Sequence, residues 1–560
     1  MRSCSTIKSF INQAVTVILI SLSICFLANA TDVHVDLRNQ SKVADGTMTY
    51  PYGDIQSALN HAQSGDSILI AQGTYTEALT VDDKKLFLRG GYAGGTEADY
   101  SNDQGGNFEQ SEPEKYTTRV QGSSGKPVLL LQGYETSGSE ISGLTVSGGD
   151  VGVHFEVDVT WPWLDSIVLS DMVVEDNGTK DEYTRGGGLY ITGSKHVIRR
   201  SVIRNNEAGF GAGIYLDADE VSIEDNHITG NRGHGDHGAG IYQTGKVTIT
   251  DNTISGNRVG ITAGYGWGGG VLILGQAFMG HNRIHGNESP SGGGGVFADD
   301  GAELIMEHDL IYANISHDSA RGAAGIYVDG DTNASSEVKM TNCTIACNQG
   351  AGIFGGNGVY VEQQSSAELI NCILWGNGGN DFYHDETSSI SAVYTLSEEN
   401  ISGKGNFSAD PLFADADNYD FHLRSQSGRF YRADDGTEQW VIDEEHSPAI
   451  DAGAPSSPYN IEPEPNGSRI NLGAYGNTVE ASKSITESEG EGPAEPHPAD
   501  GDGNGIITEQ EAQGFIQSWQ DGTVSMRIAI HGLFLARKGG SYNYVETLPE
   551  PECWTPYGAD

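Results

Sequence analysis

Val221-Ser-Ile-Glu-Asp-Asn-His-Ile-Thr-Gly-Asn231 and Val247-Thr-Ile-Thr-Asp-Asn-Thr-Ile-Ser-Gly-Asn257 are two copies of one pattern. Apolar and polar residues alternate, break at Asp-Asn, resume and stop at Gly-Asn. That is strand, turn, strand, turn. Val221, Ile223, Val247 and Ile249 point to one side and supply a core. Gly and Asn suit the bends because they tolerate left-handed backbone. Sustained helical spacing is missing until the far C-terminus.

Outward from this pair the pattern becomes two ladders. One ends in an aromatic or Leu after glycine, at Tyr190, Tyr215, Tyr242, Leu272, Phe297, Tyr327 and Tyr360, in steps of 25, 27, 30, 25, 30 and 33 residues. The other ends at Asn177, Asn206, Asn231, Asn257, Asn287, Asn314, Asn348 and Asn377. A shared loose period means stacked copies of one unit. Units of this length with three short strands wind into an all-β, right-handed parallel β-helix, with corresponding strands about 4.8 Å apart. Asn at the same turn of each coil can stack and bond to neighbouring backbone. Tyr215, Tyr242 and Tyr327 should then share one column.

The Gly-Gly-x-aromatic and Asn ladders, over most of residues 130–425, resemble the pectate-lyase-like β-helix superfamily. They are most similar to the repeats of polymorphic outer-membrane-type surface proteins. The resemblance implies the fold. It implies no single activity, because the superfamily contains lyases, hydrolases, adhesins and passenger domains.

The chain opens with Arg2 and Lys8, an apolar run from Ala14 to Leu27, and Ala28-Asn29-Ala30. This reads as a secretory signal peptide over residues 1–30. Its core is too short for a membrane anchor. Cys25 lacks the small residue before it that lipidation needs. No later segment could span a bilayer, so a secreted or cell-surface location is expected. The net charge is −46, and removing the leader makes it two units more negative. That excess disfavours nucleic acid and suits divalent cations. Four cysteines follow the leader: Cys343, Cys347, Cys372 and Cys553. Cys343 and Cys372 sit in matching contexts one coil apart, as a disulfide or as stacked thiols. No histidine pattern accompanies them to suggest a metal.

Residues 31–130 read as an N-terminal cap and first coils, with Asp54 capping a short helix from Ile55 to Gln63. Coils continue over 131–425. Residues 426–479 read as a segment that closes the C-terminal end, and 480–499 as a disordered acidic linker. Residues 500–560 form a small module. Its start, Asp500-Gly-Asp502-Gly-Asn504-Gly505-Ile506-Ile-Thr508-Glu-Gln-Glu511, fits the twelve-residue calcium loop at every position. Asp500, Asp502 and Asn504 offer hard oxygens, Ile506 its carbonyl, Thr508 a direct or water-mediated contact, and Glu511 two carboxylate oxygens. A helix is expected from Glu511 to Trp519 and a second from Ser525 to Ala536. The arrangement resembles half of a dockerin, with one loop where dockerins carry two. The implied cofactor is Ca2+.

Loops joining the Asn ladder to the glycine-aromatic ladder must project from one edge of successive coils, where function lives on a rigid scaffold. They carry His234, Asp236 and His237, then Tyr265 and Trp267, then His317, Asp318 and Arg321. Tyr183 and Arg185 lie on the N-terminal side, with Trp161 and Trp163 just upstream. Aromatics beside carboxylates and imidazoles suit sugar rings, and variable solvent loops are the plainer alternative. No pair of aspartates at hydrolase-like spacing across adjacent coils stands out, nor a calcium-carboxylate cluster beside an Arg. The sequence therefore favours a non-enzymatic β-helix protein that binds or displays at the cell surface or on extracellular polysaccharide. The alternative is a polysaccharide lyase or glycoside hydrolase.

Overall fold

The alternation around Val221 and Val247 produces strands Val221–Glu224 and Lys246–Thr250, followed after the turn by His227–Thr229 and Thr253–Ser255. They lie in register, Val221 beside Val247, Ile223 beside Ile249 and Ile228 beside Ile254, with all six side chains buried. The computed structural model describes residues 30–40, 43–156, 166–331, 334–433, 435–485, 496–501, 506–521, 524–538, 542–544, 550–551 and 553–556. Residues 1–29 of the leader, Trp161, Trp163, Asp502, Asn504, Gly505 and residues 486–495 of the expected linker lie outside them. The chain divides into two units, residues 1–484 and 485–560.

The first unit is the parallel β-helix. Each coil adds one strand to each of three parallel sheets, of 13, 11 and 12 strands among the described residues. Their inward rows of Val, Ile and Leu merge into one continuous core. Helix Ile55–His61 is capped by the Asp54 side chain, which accepts from Ser57 N–H at 2.8 Å. It buries Ile55, Ala58 and Leu59 in the same core and so covers a strand edge that would otherwise invite pairing.

The Asn ladder is built from hydrogen bonds. Asn257 donates its backbone N–H to Asn287 Oδ1 at 3.0 Å and its side-chain amide to Ile228 O at 2.9 Å. It accepts from the Asn231 backbone and side chain in turn. The same bonds repeat from Asn177 to Asn377. The left-handed residue is the one before each ladder Asn, such as Gly230 at φ 66° and Gly256 at φ 61°. The glycines before the aromatics have another cause. A Cβ on Gly213 would come within 2.5 Å of Gly240 O, and one on Gly240 within 2.3 Å of Gly270 O. Backbone carbonyls and ladder Asn amides there leave no room for a side chain.

A second buried row runs Ser201, Asn226, Asn252, Asn282 and Asp309. Cys343 and Cys372 continue it as buried free thiols. Asp309 accepts from Asn282 through Oδ1, while its Oδ2 has no partner. Burial pushes its carboxyl up to about 7.

The segment expected to close the C-terminal end runs back along the flank of the third sheet instead. Gly473 N–H donates to Asn371 O at 2.9 Å, Ala474 N–H to Thr344 Oγ1 at 3.0 Å, and Arg283 Nη2 to Tyr475 Oη at 3.2 Å. The outward faces of Leu310, Ile373 and Leu396 are apolar, and Ile450 and Leu472 of this segment cover them together with Phe421 just before it. A hydrophobic flank, not an open end, is what it satisfies.

Asp309 gives a signed test. Its folded-state pKa is raised, so the unfolded chain releases this proton first as pH rises. Stability should therefore fall by a few kcal/mol between about pH 4 and pH 7. Asp309→Asn restores the amide donor of the row. Denaturant melts should show it more stable than the parent at pH 8 and equal to it near pH 4.

Candidate functional site

The loops form a stack of their own. Strand Glu207–Phe210 pairs with Arg232–His237, and single bridges extend the row from Arg185 through Phe210 and His237 to Trp267. Beneath it lies the outward column of the second sheet: His154, Tyr190, Tyr215, Tyr242, Leu272, Phe297, Tyr327, Tyr360 and Tyr383. The expected sharing of Tyr215, Tyr242 and Tyr327 is met. Tyr215 and Tyr242 stack at 4.9 Å, each such pair stabilising by about 1 kcal/mol beyond burial. Phe210 and His237 meet Tyr242 edge-on, and Trp267 stacks on Phe297 at 6.3 Å.

The predicted loop residues divide accordingly. His234 is buried, with Nδ1 on Thr262 Oγ1 at 2.8 Å and Nε2 3.7 Å from Glu207, so it offers no open face. Asp236 accepts from His237 Nδ1 at 2.7 Å. Tyr265 is open to solvent beside Trp267. His317 pairs with Glu288 at 2.6 Å. Asp318 and Arg321 belong to a different group. Arg321 Nε donates to Glu362 Oε1 at 2.7 Å, and Asp318 lies 3.5 Å from the guanidinium.

Glu362 belongs to a row that the linear sequence conceals. Asp299, Asp329, Glu362 and Asp385 each stand two places after a residue of the aromatic column. Their backbone N–H groups donate to Ile273, Ala298, Val328 and Val361, one coil back in each case. Four carboxylates therefore occupy consecutive rungs. Asp299 and Asp329 thus form an aspartate pair across adjacent coils, where no such pair stood out in the sequence. The signal was present as Phe297-Ala-Asp299, Tyr327-Val-Asp329, Tyr360-Val-Glu362 and Tyr383-His-Asp385, but unequal loops separate the copies.

The Tyr327 hydroxyl touches both Asp329 Oδ2, at 2.9 Å, and Glu362 Oε1, at 2.5 Å. A phenol has one proton. With both carboxylates ionised, one contact would lack a hydrogen, so the trio accommodates one further proton. Burial, reinforced by Glu362 and Asp299, pushes Asp329 up to about 6, and burial raises Asp299 as well. Beside this group Ile353 and Phe354 are exposed, on a loop whose N–H groups bond Ser319 and Ala320 next to Arg321. Phe354 lies 5.5 Å from the Tyr383 ring. A carboxyl with raised proton affinity, a second carboxylate, a guanidinium and an open apolar wall thus adjoin.

In the second unit, helices Glu509–Gln520 and Met526–Arg537 match the two expected. Thr508 caps the first, its hydroxyl donating to Glu511 Oε2 at 2.8 Å, while Glu511 Oε1 accepts from Gly501 N–H at 3.1 Å. Asp500 accepts from the Tyr542 hydroxyl at 2.7 Å, and its charge reaches Glu511. The first and twelfth positions of the motif are thus both engaged by protein donors, Asp500 by Tyr542 and Glu511 by Gly501 and Thr508. Asp502 and Asn504 lie outside the described residues, and the remaining described residues hold no three-ligand group. No helix among them is long and apolar enough to cross a membrane.

A family model described as "Right handed beta helix region" matches residues 130–289 and 213–397. A search of curated proteins found no match. Among solved structures, an alginate lyase from Paenibacillus sp. str. FPU-7 is 14% identical, with 65% of this chain and 99% of that one covered and a TM-score of 0.32. Pectate lyase Pel9A is 15% identical, with 80% and 97% covered and a TM-score of 0.37. At those values neither carries an argument about activity. The chain is a right-handed parallel β-helix.

Calcium titration of the full chain by calorimetry should show one site that Glu511→Ala weakens at least ~tenfold, through loss of two of its oxygens. Unchanged affinity in that variant would remove the assignment.

Proposed function

We propose that this is an exported, glycan-active β-helix protein that engages extracellular polysaccharide along its loop-covered face and hydrolyses it at Asp329 and Glu362. The observation that carries this reading is the pair of carboxylates on consecutive rungs that share the Tyr327 hydroxyl. Asp329 holds a proton at mildly acidic pH and acts as general acid. Arg321 and Tyr327 hold Glu362 as the carboxylate partner. Sharing one phenol oxygen holds the two carboxylates closer than the ~6.5–9.5 Å of an inverting pair, as a retaining mechanism needs.

Asp329 gives its proton to the glycosidic oxygen as that bond breaks, and Glu362 bonds to the anomeric carbon. Water then displaces Glu362, its proton returning to Asp329. Calcium, when bound at Asp500, Asp502, Asn504, Ile506, Thr508 and Glu511, would order the C-terminal module as an attachment element that resembles half of a dockerin. Export rests on the leader at residues 1–30. Binding or display without cleavage is the second reading, and the closed Arg321–Glu362 pair favours it by giving the face a rigid charged surface.

A panel of polysaccharides, with and without calcium, should yield new reducing ends from at least one member. The rate should fall ~tenfold per pH unit above about pH 6 as Asp329 loses its proton. Asp329→Asn should lower turnover by at least ~10²-fold and leave binding intact. Binding with no cleavage of any member would leave only the display reading, and unsaturated products would replace hydrolysis by elimination.

A further inference from the structure

Near the N-terminal end of the aromatic column a cavity of about 340 Å³ is lined by Asp150, His154, Tyr183, Thr184, Arg185 and Tyr190. That volume falls in the range of small-molecule sites. His154 lies on the Tyr190 ring at 4.5 Å, and its Nε2 meets Glu156 at 3.2 Å. Asp150 is engaged by Gly125 N–H at 2.9 Å. Arg185 stands over the Tyr215 ring at 5.3 Å. Tyr183 is 77% exposed at the mouth, the most open aromatic among the described residues. Its loop is braced, with Thr184 Oγ1 donating to Asp181 O at 2.8 Å.

Arg185 is the informative group. The chain has 77 acidic and 31 basic residues, and most of its described arginines pair with carboxylates. Among the described residues no carboxylate pairs with Arg185. The Tyr215 ring and a hydrogen bond to the Tyr190 hydroxyl fix the guanidinium, and its other N–H groups face no carboxylate and are left for an anionic oxygen. An open tyrosine beside it supplies a flat apolar face.

We propose that this pocket binds a sugar unit bearing an anionic group, a carboxylate or a sulfate ester, with Arg185 on the anion and Tyr183 against the ring. The pocket belongs to the same face as the carboxylate row. Five strand pairings separate Tyr190 from Tyr327, about 24 Å at one rung each. Resting on the polysaccharide reading above, this makes the ligand a long acidic polymer held at both points. A disaccharide would be too short to reach.

The test is calorimetry on the full chain carrying Asp329→Asn, which removes turnover. The ligands are long oligosaccharides of uronic acids, the same oligomers with their carboxyls reduced, and sulfated oligomers. At least one anionic series should bind more tightly than its neutral counterpart, and which one identifies the anion. Arg185→Gln should weaken that series roughly tenfold, the worth of a charged hydrogen-bonded pair, and leave the neutral series unchanged. Tyr183→Ala, on an exposed side chain, should weaken it without altering the thermal transition. Equal affinity for neutral and anionic oligomers, or unchanged binding in Arg185→Gln, would overturn the assignment. Arg185-dependent binding by a parent chain that cleaves nothing would sustain the pocket and end the hydrolase reading. Cleavage with no dependence on Arg185 would do the reverse.

Discussion

Each coil between Asn177 and Asn377 has to turn out of a strand with its backbone buried, and the ladder asparagines make that possible. A buried N–H without a partner costs ~1–3 kcal/mol. At each turn the Asn of the next coil accepts one such N–H, and its own amide returns a bond to a strand carbonyl. The chain of bonds continues from Asn177 to Asn377. It fixes the vertical register of the solenoid to the residue, since a slip by one would turn every core side chain outward.

That register also builds the candidate site. Nothing local brings Asp299, Asp329 and Glu362 together, because they are about one coil apart in sequence. They meet because each leaves its strand at the same rung position as the last. Stacking like charges this closely opposes ionisation, and burial adds to the effect. Asp329 is raised to about 6, and Arg321 and Tyr327 converge on Glu362. A scaffold indifferent to chemistry thus raises the proton affinity of Asp329 beside a carboxylate held by a guanidinium.

Much of the fold was legible in the sequence because the two ladders advertise its period. The Asn row and the Tyr215–Tyr242–Tyr327 column could be read by counting. The carboxylate row could not, since loops of unequal length separate Asp299, Asp329 and Glu362, and only three-dimensional register aligns them. His234 read as an open loop imidazole, but residues 260–263 fold over it, bonding Gly233, His234 and Gly235. The backward run of residues 449–476 was equally hidden. Its cause, the apolar outward faces of Leu310 and Ile373, breaks the inward-outward alternation that sequence patterning assumes.

The candidate site depends on adjacent rungs carrying Asp329 and Glu362 side by side, and cross-linking tests this directly. In-register parallel neighbours have Cα atoms about 4.8 Å apart, within disulfide range. The full chain with Asp329→Cys and Glu362→Cys should close a disulfide under mild oxidation, seen by mass and mobility. Asp329→Cys with Val361→Cys, whose second side chain faces the core, should not. Cross-linking of the second pair in preference to the first would contradict the register and dissolve the site built on it.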